Sequence, residues 1–278
     1  MGIAYYNGEI AEEEQIKIPL TDRSIYFGDG IYDAAVGKNG KIYLENEHIN
    51  RFLSNAKKLS LEINISAENL SKLLREMAKK SGYESFFIYF QLSRAGRSRV
   101  HSHAGFQGSN LLITVKEHTL PSHEKALRLA VTEDLRYLMC DIKTLNLLPA
   151  VLASTYAEKS GCDEAIFSRN GIITECAHSN IAIVKDGTFY THPDGRYILP
   201  GITKAKILSL CESLSIPYCC TQFTEKELLS ADEVLVMSTS KLCLRAKSVD
   251  CTEIKSDKND VGERLILAIQ EDFVRSMG

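Results

Sequence analysis

Apolar and polar positions follow two different rhythms along this chain. Over residues 46–60, Ile49, Phe52, Leu53, Ala56 and Leu59 recur every three to four positions, which gives a helix one apolar face. Asn46 is expected to cap it. Residues 67–80 repeat the rhythm with Leu70, Leu73, Leu74 and Met77, between Ser66 as N-cap and Gly82 as terminator. Residues 86–92 and 111–115, by contrast, are runs of aromatic and β-branched residues with strand character. Asn7-Gly8, Asn39-Gly40, Asn170-Gly171 and Asp186-Gly187 separate β-rich segments, as type I′ hairpins require. Further helices are predicted over 146–160, 203–214, 225–230 and 260–276. The mixture reads as α+β. A polar, proline-containing stretch over 118–123 reads as a linker between an N-terminal domain (1–117) and a C-terminal domain (124–278) that carries Lys143.

Composition narrows the function classes. The 278 residues are 44% hydrophobic and 25% charged, ordinary values for a chain with a packed core. A formal net charge of −3 gives no electrostatic case for nucleic acid or an anionic membrane. No apolar run reaches membrane-spanning length, and the N-terminus lacks a basic start and an apolar signal core, so a cytoplasmic protein is expected. Eight cysteines show no C-x-x-C spacing and seven histidines no H-E-x-x-H pair. Free thiols and no structural metal are expected.

The chemistry is concentrated around Cys140-Asp141-Ile142-Lys143-Thr144-Leu145-Asn146-Leu147-Leu148. Burial disfavours a charged amine, and a neutral amine is a nucleophile. Taken alone, such a lysine reads as an apolar stem whose ammonium reaches water. Other segments accompany it in order: Asp22-Arg23, Phe27-Gly28-Asp29-Gly30-Ile31-Tyr32, Glu47-His48-Ile49-Asn50-Arg51, Arg94 through His101, Thr174-Glu175, Leu199, Gly201-Ile202-Thr203 and Ser238-Thr239. Together they resemble the class IV aminotransferases, along nearly the whole chain. Within that class the chain looks most like the D-amino-acid aminotransferase branch.

The resemblance implies a two-domain α+β enzyme of fold type IV, with pyridoxal 5′-phosphate between the domains. It implies Lys143 as the Schiff-base lysine and proton carrier, and Glu175 as the carboxylate facing the ring nitrogen. Leu199 would pack on the ring. Arg51, Gly201, Ile202, Thr203, Ser238 and Thr239 would hold the phosphate. Tyr32, Arg99 and His101 would trap the substrate carboxylate. Arg136 also has a counterpart near the family's site. The implied reaction is ping-pong transfer of an amino group from D-alanine to 2-oxoglutarate, giving pyruvate and D-glutamate, in a homodimer. An L-branched-chain aminotransferase or an aminodeoxychorismate lyase is the alternative activity, and a non-catalytic binding module the alternative class. The chain departs from the pattern at Cys176-Ala177-His178-Ser179-Asn180 and at Lys241-Leu242-Cys243-Leu244-Arg245. Both departures are expected to border the substrate side chain.

Overall fold

Asparagine tolerates the left-handed region and glycine adopts it at no steric cost, and the first two hairpins use both. Asn7 and Gly8 have φ of 47° and 103°, and Asn39 and Gly40 have 53° and 74°. They join β1 (Ile3–Tyr6) to β2 (Glu9–Glu12) and β3 (Gly30–Lys38) to β4 (Lys41–Ile42), with the short α1 (Arg23–Phe27) between the pairs. Next come α2 (Glu45–Lys58), α3 (Ala67–Ser81), β5 (Ser85–Arg94) and β6 (Ser109–Glu117). The strands form a six-stranded sheet in the order β2-β1-β6-β5-β3-β4. Antiparallel pairing of β3 with β5 runs from Gly30↔Ser93 to Lys38↔Ser85. Phe52, Leu70, Leu74, Met77, Phe86, Ile88 and Phe90 bury the helix faces against this sheet. Each such side chain contributes about 1.5–3 kcal/mol. Ser66 caps α3 by accepting from the Asn69 N–H, and Gly82 ends it at φ 73°. The start of α2 differs from the cap-based expectation. Leu44, at φ 50°, is the N-cap, and Asn46 lies inside the helix. A tertiary contact sets this start: Glu45 is buried and accepts from Arg75 Nε at 2.8 Å.

A second set of elements begins with β7 (Leu127–Glu133), α4 (Leu148–Lys159), β8 (Glu164–Arg169), β9 (Ile172–Cys176), β10 (Asn180–Lys185) and β11 (Thr188–Thr191). It continues through α5 (Ile202–Ser213), β12 (Tyr218–Cys220), β13 (Phe223–Thr224), α6 (Glu225–Leu229), β14 (Glu233–Ser238), β15 (Leu242–Val249), β16 (Thr252–Glu253) and α7 (Val261–Met277). Asn170-Gly171 and Asp186-Gly187 turn β8 into β9 and β10 into β11, again with positive φ throughout. The ten-stranded sheet runs β12-β11-β10-β14-β15-β7-β8-β9-β13, with β16 on β15. Nearly continuous apolar runs such as residues 234–237 fit strands covered on both faces. On α4, Leu148, Val151, Leu152 and Tyr156 form an exposed stripe at helical spacing.

The computed structural model describes residues 2–96, 99–254 and 260–278. Contacts divide the chain into Met1–Thr119 with Ile142–Asn146 and Ser276–Gly278, and Leu120–Asp141 with Leu147–Arg275. Residues 118–123 contain no helix or strand. The Lys143 segment groups with the first unit, although the linker-based reading assigned it to the C-terminal half. The cause is local: Ile31 bridges Thr144, so the segment lies along β3. Among the described residues no helix is long and apolar enough to cross a membrane, and no group of three or more His, Cys, Asp or Glu is arranged to hold a metal ion. All eight cysteines are free thiols.

Candidate active site

Backbone pairing fixes Lys143 before its side chain is considered. Its carbonyl accepts the Tyr32 N–H at 2.9 Å, and the Leu145 N–H reaches the Gly30 carbonyl at 3.1 Å. Gly30 is required here, because a Cβ would stand 2.6 Å from the Leu92 carbonyl oxygen and 2.8 Å from Leu145 Cδ1. Asn146 Nδ2 donates to the Gly28 carbonyl at 3.1 Å and closes the segment. Lys143 is half-buried, with Nζ 4.3 Å from the Tyr32 ring centroid. No carboxylate pairs with this amine among the described residues. The Tyr32 ring stacks on Tyr89 at 5.3 Å.

The next residue of β3 points to the opposite face, as strand geometry requires. Asp33 is fully buried there and accepts from Arg51 Nε and Nη2, each at 2.8 Å. His48 Nδ1 lies 2.8 Å from the same carboxylate. His48 and Arg51 are three apart on α2, so one helix face delivers both. Burial alone would push the Asp33 carboxyl up. The Arg51 charge and the hydrogen bonds from His48 and Arg51 outweigh it and hold the group well below the usual carboxylate range.

Arg99 and His101 lie on an exposed loop around Phe27. The Arg99 guanidinium carbon is 5.8 Å from the ring centroid, and the His101 ring is 5.4 Å away. Arg23 anchors this loop from below, donating to the Val100 and His101 carbonyls at 2.5 and 2.9 Å. No hydrogen bond joins Tyr32 to Arg99 or His101 among the described residues, so the chain's own contacts do not bring this trio together. Arg97 and Ser98 of the same basic run lie outside the described residues.

In the second unit, Glu175 is buried near the end of β9 and held by three different segments. Arg136 Nη1 pairs with it directly. Asn180 Nδ2 donates to it at 2.9 Å, and the Leu199 N–H reaches both oxygens at 3.1 and 3.2 Å. Asn180 Nδ2 also bonds the Leu199 carbonyl at 3.0 Å, which brings Leu199-Pro200-Gly201 close to β10. Gly201 then has to be glycine, since a Cβ there would fall 1.8 Å from Asn180 Oδ1. Gly201 is the N-cap of α5 and offers no side chain to the first amides. Ile202 and Thr203 occupy that buried first turn, and Ser238 closes β14 with Thr239 after it. A helix start of this kind favours anions.

Arg136 is the centre of the second cluster. Besides Glu175 it bonds both Asp134 oxygens at 2.9 Å, Thr174 Oγ1 at 3.2 Å and the Tyr197 carbonyl at 3.0 Å, and it lies 4.4 Å from the Phe167 ring centroid. Burial opposes its charge, but Asp134 and Glu175 more than restore it, so it stays protonated. Asp134 in turn is held below the usual carboxylate range: burial raises it, and Arg136 and Arg169 pull it down further. Sequence reasoning missed Asp33 altogether. The signal was present, because an acid within Ile31-Tyr32-Asp33-Ala34-Ala35-Val36 needs a charged partner if the strand is buried.

Comparison with known proteins bears on the family and the fold. Residues 30–249 match the family described as amino-transferase class IV. A D-alanine aminotransferase of Staphylococcus epidermidis is 36% identical over 275 residues, 98% of each chain. One from Staphylococcus aureus is 39% identical over 239 residues, 85% of each. Among solved structures, a branched-chain amino acid aminotransferase from Escherichia coli superimposes with a TM-score of 0.87 at 23% identity, covering 99% of this chain and 95% of that one. At that identity the likeness speaks for the fold. With most of its length matched by the family and by relatives above the 30% level, this chain belongs to the class IV aminotransferases.

Proposed function

We propose that this enzyme moves the amino group of a D-amino acid, D-alanine, to a 2-oxo acid such as 2-oxoglutarate, in two half-reactions at Lys143. The observation that carries this reading is the Lys143 amine itself. It is pinned by its backbone to β3, lies over the Tyr32 ring and lacks a carboxylate partner among the described residues. An amine engaged in a salt bridge would have to leave it before attacking a carbonyl. The relatives' substrate points to the D-series.

The donor set fits pyridoxal 5′-phosphate. A buried carboxylate (Glu175) suits a protonated ring nitrogen. In the second unit, an uncapped helix start at Gly201 with the Thr203, Ser238 and Thr239 hydroxyls suits a phosphate. When bound, the cofactor supplies an electron sink for the pair released at the substrate Cα. Lys143 would form the covalent link and, once released, carry the proton from Cα. Glu175 would hold the proton on the ring nitrogen, oriented by Arg136 and Asn180. Arg51, Gly201, Ile202, Thr203, Ser238 and Thr239 would bind the phosphate, and Leu199 would pack on the ring. Tyr32, Arg99 and His101 would bind the substrate's α-carboxylate.

The reading carries with it a homodimer in the cytoplasm. The exposed apolar stripe of α4 supports the first, as a surface for a second copy, and the eight free cysteines support a reducing compartment. Borohydride treatment of cofactor-loaded protein, followed by peptide mapping, should label Lys143. Chiral product analysis should show turnover of D-alanine and little of L-alanine. Equal turnover of the two enantiomers would sink the D-specific reading.

A further inference from the structure

The two stretches where the chain departs from the class pattern meet at one buried carboxylate. Glu164 opens β8, and its side chain is fully buried. It accepts the His178 N–H at 3.1 Å and Ser179 Oγ at 3.0 Å, both from the β9–β10 turn. It also accepts Lys241 Nζ at 2.6 Å, from the turn before β15. His178 Nδ1 lies 3.3 Å from the same group, and its Nε2 lies 3.2 Å from Lys241 Nζ. The imidazole therefore bridges an acid beneath it and an ammonium beside it. Lys241 is 17% exposed and His178 49%, so both heads reach solvent above the buried acid.

The strand register locates this corner. Asn180 pairs with Met237 and Ser238 with Leu242, which puts the β9–β10 and β14–β15 turns at one end of the sheet. Glu175 and Asn180 flank the first turn, and Ser238 and Thr239 lie in the second. The corner thus lies next in sequence to groups assigned above to the cofactor in this unit.

We propose that His178 and Lys241 form a carboxylate-binding corner for the second acid group of a dicarboxylic substrate, the class of D-glutamate and 2-oxoglutarate. The proposal rests on the transaminase reading. Lys241 uses two of its three donors on Glu164 and His178, and the third is left for a ligand. With its Nδ1 proton facing Glu164, His178 accepts the Lys241 ammonium at Nε2 and so fixes the direction in which that ammonium points. Glu164 holds both turns in place beforehand, so binding orders little. A monocarboxylic substrate such as pyruvate has no group for this corner.

The test uses the cofactor-loaded enzyme, its His178→Ser variant and a Lys241→Met/Glu164→Gln double variant, which removes the cation without leaving a buried acid unpaired. Single-turnover conversion of the pyridoxamine form by 2-oxoglutarate and by pyruvate is measured, together with calorimetric titration by glutarate and by butyrate. Both variants should lose about tenfold or more for 2-oxoglutarate and glutarate. Pyruvate and butyrate should change by less than about twofold. Equal losses for mono- and dicarboxylates, or no loss for either, overturn the proposal and leave the cluster as a lock on two turns. If the parent enzyme converts neither oxo acid, the transaminase reading fails, and the preference for glutarate over butyrate still decides the corner.

Discussion

Each unit contains a buried charge cluster that holds a group proposed for the chemistry, and these two clusters are built in opposite senses. In the first, an acid is the hub: Asp33 is surrounded by Arg51 and His48. In the second, a base is the hub: Arg136 is surrounded by Asp134 and Glu175. A hub of one sign fixes the position of partners of the other sign. The first unit thus holds the Arg51 cation through Asp33 and seats Lys143 through the neighbouring Tyr32 of β3, while the second presents an anion beside an uncapped helix. Arg51 and Glu175, two of the groups proposed for chemistry, are spokes whose geometry the hubs set, whereas Lys143 is seated by backbone pairing to β3.

Breaking the first region at its amine should have the largest effect. Lys143→Ala is expected to lower transamination by a thousandfold or more, on the order of what a lost covalent and proton-transfer group costs. Borohydride labelling should vanish while urea unfolding is little changed. Breaking the hubs comes next. Asp33→Asn leaves Arg51 and His48 buried without their acid and should cost about 3–5 kcal/mol in urea unfolding. It should also weaken binding of pyridoxal 5′-phosphate more than of phosphate-free pyridoxal. Arg136→Met should cost a similar amount, about 3–5 kcal/mol, because Asp134 and Glu175 lose their common base. Its effect on cofactor binding should be equal with and without the phosphate. If the two hub variants respond alike to the phosphate, the contrast between the units fails.

Smaller effects sharpen the comparison. Gly201→Ala must displace Asn180 from Glu175, and a loss of about 1–3 kcal/mol is expected, the cost of an unsatisfied buried group. Acid should act on both hubs in the same direction. Asp33 and Asp134 have folded-state values below 3.8, so their stabilisation is complete above that pH and is lost as pH falls below it. The unfolding free energy should therefore drop below about pH 4, and the Asp33→Asn variant should show a shallower drop.

Local chemistry was legible in the sequence. The glycine turns, the Ser66 cap and the apolar faces of α2 and α3 depend on neighbours within a few residues, and the chain shows them openly. The start of α2 was not legible, because Glu45 answers to Arg75, thirty positions away in the chain. The groups proposed for chemistry, Lys143, Arg51 and Glu175, were singled out through ordered motifs that resemble a family's. The hub Asp33 was not, because its partners on α2 are joined to it only through the folded sheet. Periodicity marks buried faces but does not say which buried charges will meet.

The excursion of Ile142–Asn146 onto β3 has a practical consequence for anyone who cuts this chain. The boundary between the units is crossed at Thr119, on both sides of that five-residue stitch, and again at Ser276. A fragment ending at Thr119 would lack Ile142, part of its own core, and an excised remainder would carry Lys143 without the strand that seats it. Nicking the polar linker should therefore give two pieces that stay folded only while they remain together.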